Sequence, residues 1–151
     1  MRKALYALTV FGFAGILLAA DPFEGTWKLN AAKSKFTQGA LPKEETIVIA
    51  QQGDQLQVTI TGTDSSGSPI SVKYTAPAAG GPGKIMAGPW DGVATKRMDA
   101  NNRVTMYMKG GKNVRTSQGT ASQDGKTMTV TTKGVDTQGN PVAGTLVFDN
   151  Q

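Results

Sequence analysis

From Glu45 to Phe148 the apolar residues recur at every second position, and this period constrains the chain more than any other feature. Leu56, Val58 and Ile60 alternate with Gln57, Thr59 and Thr61, and Ile70, Val72 and Tyr74 with Ser71, Lys73 and Thr75. Val104, Met106 and Met108 alternate with Thr105 and Tyr107, and Met128 and Val130 with Thr127, Thr129 and Thr131. Side chains on a strand point alternately to its two faces, so each run has one face to bury. Turn signals separate the runs: Gly53-Asp54, Asp64 to Pro69, Asn101-Asn102, Gly110-Gly111, Asp124-Gly125 and Asp136 to Pro141. The reading is an all-β chain, a single antiparallel up-and-down meander β-barrel of about 8 to 10 strands. At most one short helix is expected, after the first strand, where Asn30 can cap the segment Ala31 to Phe36.

One strand-turn-strand unit occurs twice, at an offset of 72 residues. Gly62, Asp64, Gly67, Pro69 and Ile70 correspond to Gly134, Asp136, Gly139, Pro141 and Val142. The loop Gly-x-Asp-x-x-Gly-x-Pro has a structural rationale: the aspartate can accept hydrogen bonds from turn amides, the glycine can take positive φ, and the proline can restart a strand.

Arg2 and Lys3, the apolar run Ala4 to Leu18 and the small residues Ala19-Ala20 read as an export signal. Residues 1–20 are therefore expected to be a signal peptide and residues 21–151 one β-barrel domain, exported to the periplasm or secreted. The apolar run is shorter than the roughly 20 residues of a spanning helix. The protein is accordingly expected not to be integral to a membrane once the signal is removed.

Two absences narrow the chemistry. The chain has no cysteine and no histidine. Disulfides, thiol catalysis, Ser-His-Asp triads and the usual catalytic zinc sites are thereby excluded. The acidic residues lie mostly in turns and at strand ends, and no spacing singles out a catalytic pair, so no enzyme activity is expected. No cofactor and no metal is expected either. After signal removal the charge falls to about +3 with no basic stripe, which argues against nucleic acid as a partner.

The segment Asp21-Pro22-Phe23-Glu24-Gly25-Thr26-Trp27-Lys28-Leu29 resembles the G-x-W opening of lipocalins. It resembles more fully the F-x-G-x-W-K-L opening of fatty-acid-binding proteins, within the calycin superfamily. Asp21 to Phe36 together with the Asp-x-x-Gly-x-Pro hairpins resembles a group of small exported bacterial lipocalin-like proteins of unassigned function. The resemblance implies that Phe23, Gly25 and Trp27 form the structural motif that starts the barrel and closes one end. It also makes Arg97 and Arg115 candidates either for stacking on Trp27 at the closed end, as an arginine does in lipocalins, or for holding a ligand's head group. Two family features are missing. The segment after the first strand is too short for a helix-turn-helix lid, and Leu146-Val147-Phe148-Asp149 replaces the terminal R-x-Y, so fatty-acid specificity is not implied.

The expected interior includes Leu56, Val58, Ile60, Val72, Tyr74, Met106, Met108, Met128, Val130, Leu146 and Phe148. On the strand Asn113 to Ala121 neither face is apolar, which places polar side chains inside. The loop Ala76 to Trp90, rich in proline and glycine, ends on an aromatic that could cover a cavity mouth or pack on the rim. The candidate ligand-binding residues are therefore Tyr74, Trp90, Arg97, Met106, Met108, Arg115, Thr116 and Gln118. The expected ligand is a small apolar or amphipathic molecule held non-covalently by a monomer. The alternative is a protein-interaction or inhibitor module that uses the rim loops.

Overall fold

A computed structural model of the protein describes residues 20–151. The expected export signal lies outside the described residues apart from its last position. The strands are β1 Gly25–Leu29, β2 Lys35–Gln38, β3 Glu44–Gln52, β4 Gln55–Thr63, β5 Pro69–Pro77, β6 Gly80–Pro82, β7 Lys84–Ala87, β8 Gly92–Arg97, β9 Asn102–Lys109, β10 Lys112–Ala121, β11 Thr127–Val135 and β12 Pro141–Asn150. All pair antiparallel, in the order β6-β8-β9-β10-β11-β12-β1-β3-β4-β5-β7, with β2 added to β12 beside β1. The result is a nearly closed barrel.

Sequence alternation anticipates the long hairpins. Two short stretches add strands that it does not. The segment after Asn30 is a single 3-10 turn, Ala31–Lys33, capped by the Asn30 side chain; it gives way to β2 because Ser34 turns the chain back onto β12. The Ser34 hydroxyl accepts a hydrogen bond from the Val147 amide at 2.8 Å and donates one to the Asn30 carbonyl at 2.7 Å. The stretch after Ala76 is not a free loop: β6 pairs with β8 while β7 pairs with β5, so one extended segment joins the two sheet edges. Gly83 stands where the segment changes partner, and its amide bonds the Val93 carbonyl at 2.8 Å. A Cβ there would collide with the Thr75 carbonyl oxygen and lie 2.9 Å from Val93 Cγ1. Closure thus depends on a residue without a side chain.

Strand direction gives the barrel two different ends. At one, here called the mouth, stand the loops 64–68, 88–91, 110–111 and 136–140. At the other, the base, stand the turns 53–54, 98–101 and 122–126 with the segment 21–24. The two repeated loops have the same geometry. The Asp64 Oδ1 atom accepts the amides of Ser66 and Ser68, both at 2.9 Å, and the Asp136 Oδ1 atom those of Gln138 at 2.9 Å and Asn140 at 2.8 Å. Gly67 and Gly139 take φ of 93° and 85°.

The base is plugged from the N-terminal side. Phe23 and Trp27 are buried, Trp27 completely, and the Trp27 indole Nε1 donates to the Phe23 carbonyl at 2.8 Å. The Asp21 carboxylate bonds Arg97 at 2.9 Å and Arg103 at 3.1 Å through Oδ2, and the Phe23 amide at 3.0 Å through Oδ1. Both arginines also donate to the Ala78 carbonyl, each at 3.1 Å. The arginine expected on Trp27 is not there. Arg103 lies instead over Phe23, 5.4 Å from the ring centroid, because the Asp21 carboxylate draws it to the N-terminal segment.

Candidate functional site

On β9 the inward side chains are Arg103, Thr105 and Tyr107, all buried, while Val104, Met106 and Met108 face outward. This overturns the expectation that Met106 and Met108 line the interior. The outer methionines pack across the strands on small partners, Met106 beside Ala94 and Met108 beside Gly92, which leaves the inside to longer polar and aromatic side chains. On β10 the inner face is Arg115, Ser117, Gly119 and Ala121. Thr116 pairs with Met106 and Gln118 with Val104, so both also lie on the outer surface.

The remaining candidates are divided among three places. Arg97 belongs to the base network with Asp21. Tyr74 lies on the wall of an inner cavity of about 80 Å³ that Ile47, Ile49, Val58, Thr95, Thr105 and Ser117 also line. Trp90 and Arg115 come together at the mouth, in a recess of about 50 Å³. Tyr107 and Ile60 line both spaces and separate them.

The mouth is built by several elements. From the loop before β8, Trp90 turns inward and packs on Tyr107 with ring centroids 4.5 Å apart; Tyr107 in turn meets Tyr74 edge to face at 5.8 Å. Burial, and after it the neighbouring Tyr74, push the Tyr107 phenol well above its ordinary value of 10.0, so it is a neutral hydroxyl. From β10, Arg115 extends over Trp90 with its guanidinium carbon 5.9 Å from the ring centroid. Its Nε donates to the Thr132 hydroxyl at 2.9 Å, and Thr132 shares a second bond with Ser117 at 2.9 Å. From β3, Glu45 points inward on the same face as Ile47 and Ile49.

Glu45 and Tyr107 were not singled out from the sequence, although Glu45 has the signal: it stands two and four residues before Ile47 and Ile49. The residue is 8% exposed, and its carboxyl, which makes no hydrogen bond among the described residues, keeps contact with the open recess. Burial raises its pKa above the ordinary 4.5, and the Arg115 charge opposes that shift. Asp64 Oδ2 and Thr137 Oγ1, which also belong to residues lining the recess, are buried without a partner. The Asp64 carboxylate is held below its ordinary pKa of 3.8, chiefly by the Ser66 hydroxyl bonded to Oδ1 at 2.7 Å.

The recess therefore combines an aromatic wall, Trp90 and Tyr107, with a buried acid, a second carboxylate oxygen and a guanidinium whose outer nitrogens are unused. Such a set can hold a polar head group while an apolar part rests on the rings. Among the described residues, no helix is long and apolar enough to cross a membrane. No protein-family model matches the chain, and no curated protein matches it.

Proposed function

We propose that the protein is an exported, lipocalin-like barrel that binds a small amphipathic molecule non-covalently at its mouth. The observation that carries this reading is the buried Glu45 carboxyl, which faces the recess without a hydrogen-bond partner beside Arg115 and the Trp90–Tyr107 pair. A carboxyl largely removed from water and without a protein partner loses part of its solvation, and a bound head group would restore it. The nearly closed antiparallel barrel and the buried Phe23 and Trp27 agree with the calycin-like opening of the chain. Cavities of about 50 and 80 Å³ are well below the roughly 300 to 1,000 Å³ of pockets for drug-sized ligands. The ligand is accordingly a compound of few heavy atoms and not a long-chain lipid.

The test is native mass spectrometry of protein purified from its own host. A bound small molecule is expected, lost on unfolding and lost in Arg115→Gln. Consistently empty protein that also takes up no small amphipathic probe would refute the reading.

A further inference from the structure

The charges at the mouth specify more than a polar head group. Among the described residues the ion pairs all belong to Asp21 at the base. At the mouth, Arg115 and Glu45 line the same recess, yet no nitrogen–oxygen approach within 4.0 Å joins them. Arg115 is held off by its own anchors, with Nε on the Thr132 hydroxyl and the guanidinium over Trp90. Its two terminal nitrogens have no acceptor among the described residues. On the acidic side, Glu45 is 8% exposed and Asp64 6%. The Asp64 Oδ1 atom is saturated by Ser66 and Ser68, while Oδ2 is buried and has no donor.

We infer that the ligand of the mouth, on the reading proposed above, is a small zwitterion whose ammonium group bonds Glu45, with the Asp64 charge lining the same recess, while its carboxylate bonds Arg115. Opposite charges that line one recess without pairing are each open to a partner, and one molecule carrying both complementary charges can meet both. A simple carboxylate would satisfy Arg115 but stand against two acids. A simple amine would satisfy the acids and stand against Arg115. The acceptor is the Glu45 carboxyl, so the cationic end must carry N–H groups, and a quaternary ammonium would leave that carboxyl without a donor. Trp90 and Tyr107 would receive a short apolar side chain. The class that fits is the α-amino acid with a small aliphatic side chain, or a compound of the same plan.

The experiment is titration of the full protein with alanine and valine, with isobutyrate as the carboxylate alone, with isopropylamine as the amine alone, and with glycine betaine. Calorimetry gives the affinity, and backbone amide and indole NMR shifts at Arg115 and Trp90 give the place. The amino acids are expected to bind about tenfold or more tighter than any of the other three probes. Glu45→Gln and Arg115→Gln should each remove about tenfold or more of that affinity while thermal unfolding shows both variants folded. Equal binding of isobutyrate, isopropylamine or betaine would overturn the zwitterion and leave the small-ligand reading standing. So would a different molecule retained by native protein and lost in Arg115→Gln. Failure of every probe, together with empty native protein, would overturn both.

Discussion

Replacing Trp27 by alanine tests whether the opening motif is a structural plug or part of a binding site. Trp27 is fully buried and its indole N–H bonds the Phe23 carbonyl at 2.8 Å. A buried aromatic of this size removes about 150 to 250 Å² from water. At about 25 cal/mol per Å² that is about 4 to 6 kcal/mol, and a compact denatured state lowers it by roughly 10 to 40%, to about 3 to 5 kcal/mol. Measured aromatic-to-alanine losses fall in the same range of about 3 to 5 kcal/mol. The Phe23 carbonyl also loses its donor, which adds about 1 kcal/mol or more. Trp27→Phe keeps most of the area and loses the hydrogen bond, so about 1 to 2 kcal/mol is expected.

The assay is urea unfolding followed by circular dichroism and by fluorescence of Trp90, the one tryptophan left of the chain's two. Because Trp90 sits at the mouth and Trp27 packs on the N-terminal plug of the base, probe affinity should be unchanged in Trp27→Ala once the protein is folded. A stability loss under about 1 kcal/mol, or a loss of binding at unchanged stability, would refute the assignment of Trp27 to the base plug.

Three further outcomes follow from the geometry. Asp21→Ala leaves Arg103, whose side chain is 8% exposed, without its counter-charge; stability should fall by about 3 to 5 kcal/mol and salt should not restore it, as read by urea unfolding of protein with a verified N-terminus. Glu45→Gln should raise the melting temperature at neutral pH and not in acid. The folded pKa of Glu45 lies above its ordinary 4.5, so ionisation penalises the native state above that folded value and the penalty is absent below 4.5. Calorimetric melting across that pH range checks the sign, and a gain independent of pH would contradict it. Gly83→Ala should cost about 1 to 3 kcal/mol through its clash with the Thr75 carbonyl and speed hydrogen exchange across β6 to β8. Gly125→Ala, with nothing within 4 Å of its Cβ, should lack the exchange effect.

What the sequence made legible was local, and what it hid was long-range. The repeated loops were readable because an aspartate, a glycine and a proline at fixed offsets act within six residues, and the hydrogen bonds to Asp64 and Asp136 run inside each loop. Phe23 and Trp27 were readable because their motif lies in one segment. The facing of β9 was not, since alternation defines two faces without saying which is inner. Choosing the more apolar one, Val104, Met106 and Met108, failed because Arg103 reaches an Asp21 partner 82 residues away and Tyr107 stacks on Trp90. A small barrel interior can favour polar and aromatic side chains that meet across it over aliphatic ones that fit an isolated strand. Glu45 was passed over for the same reason, because an acid beside Ile47 and Ile49 looks like a strand end until the sheet closes around it.

The difference between the two ends supports the proposed site more than any single residue does. At the base, Arg97 and Arg103 both meet the Asp21 carboxylate and the Ala78 carbonyl, so their charges are paired even though Arg103 Nε is buried without an acceptor. At the mouth, the loops are equally well fixed by their own aspartates, so their rigidity is not lacking. Yet Asp64 Oδ2 and Thr137 Oγ1 are buried there without partners, and Glu45 and Arg115, which face the open recess, form no ion pair with each other. Stability alone would favour an aliphatic residue at position 45, continuing the face of Ile47 and Ile49, since apolar replacements of buried charges are commonly neutral or stabilising. No ion pair within the described residues answers the Glu45 and Arg115 charges that line the mouth, which is why the proposed ligand is placed there.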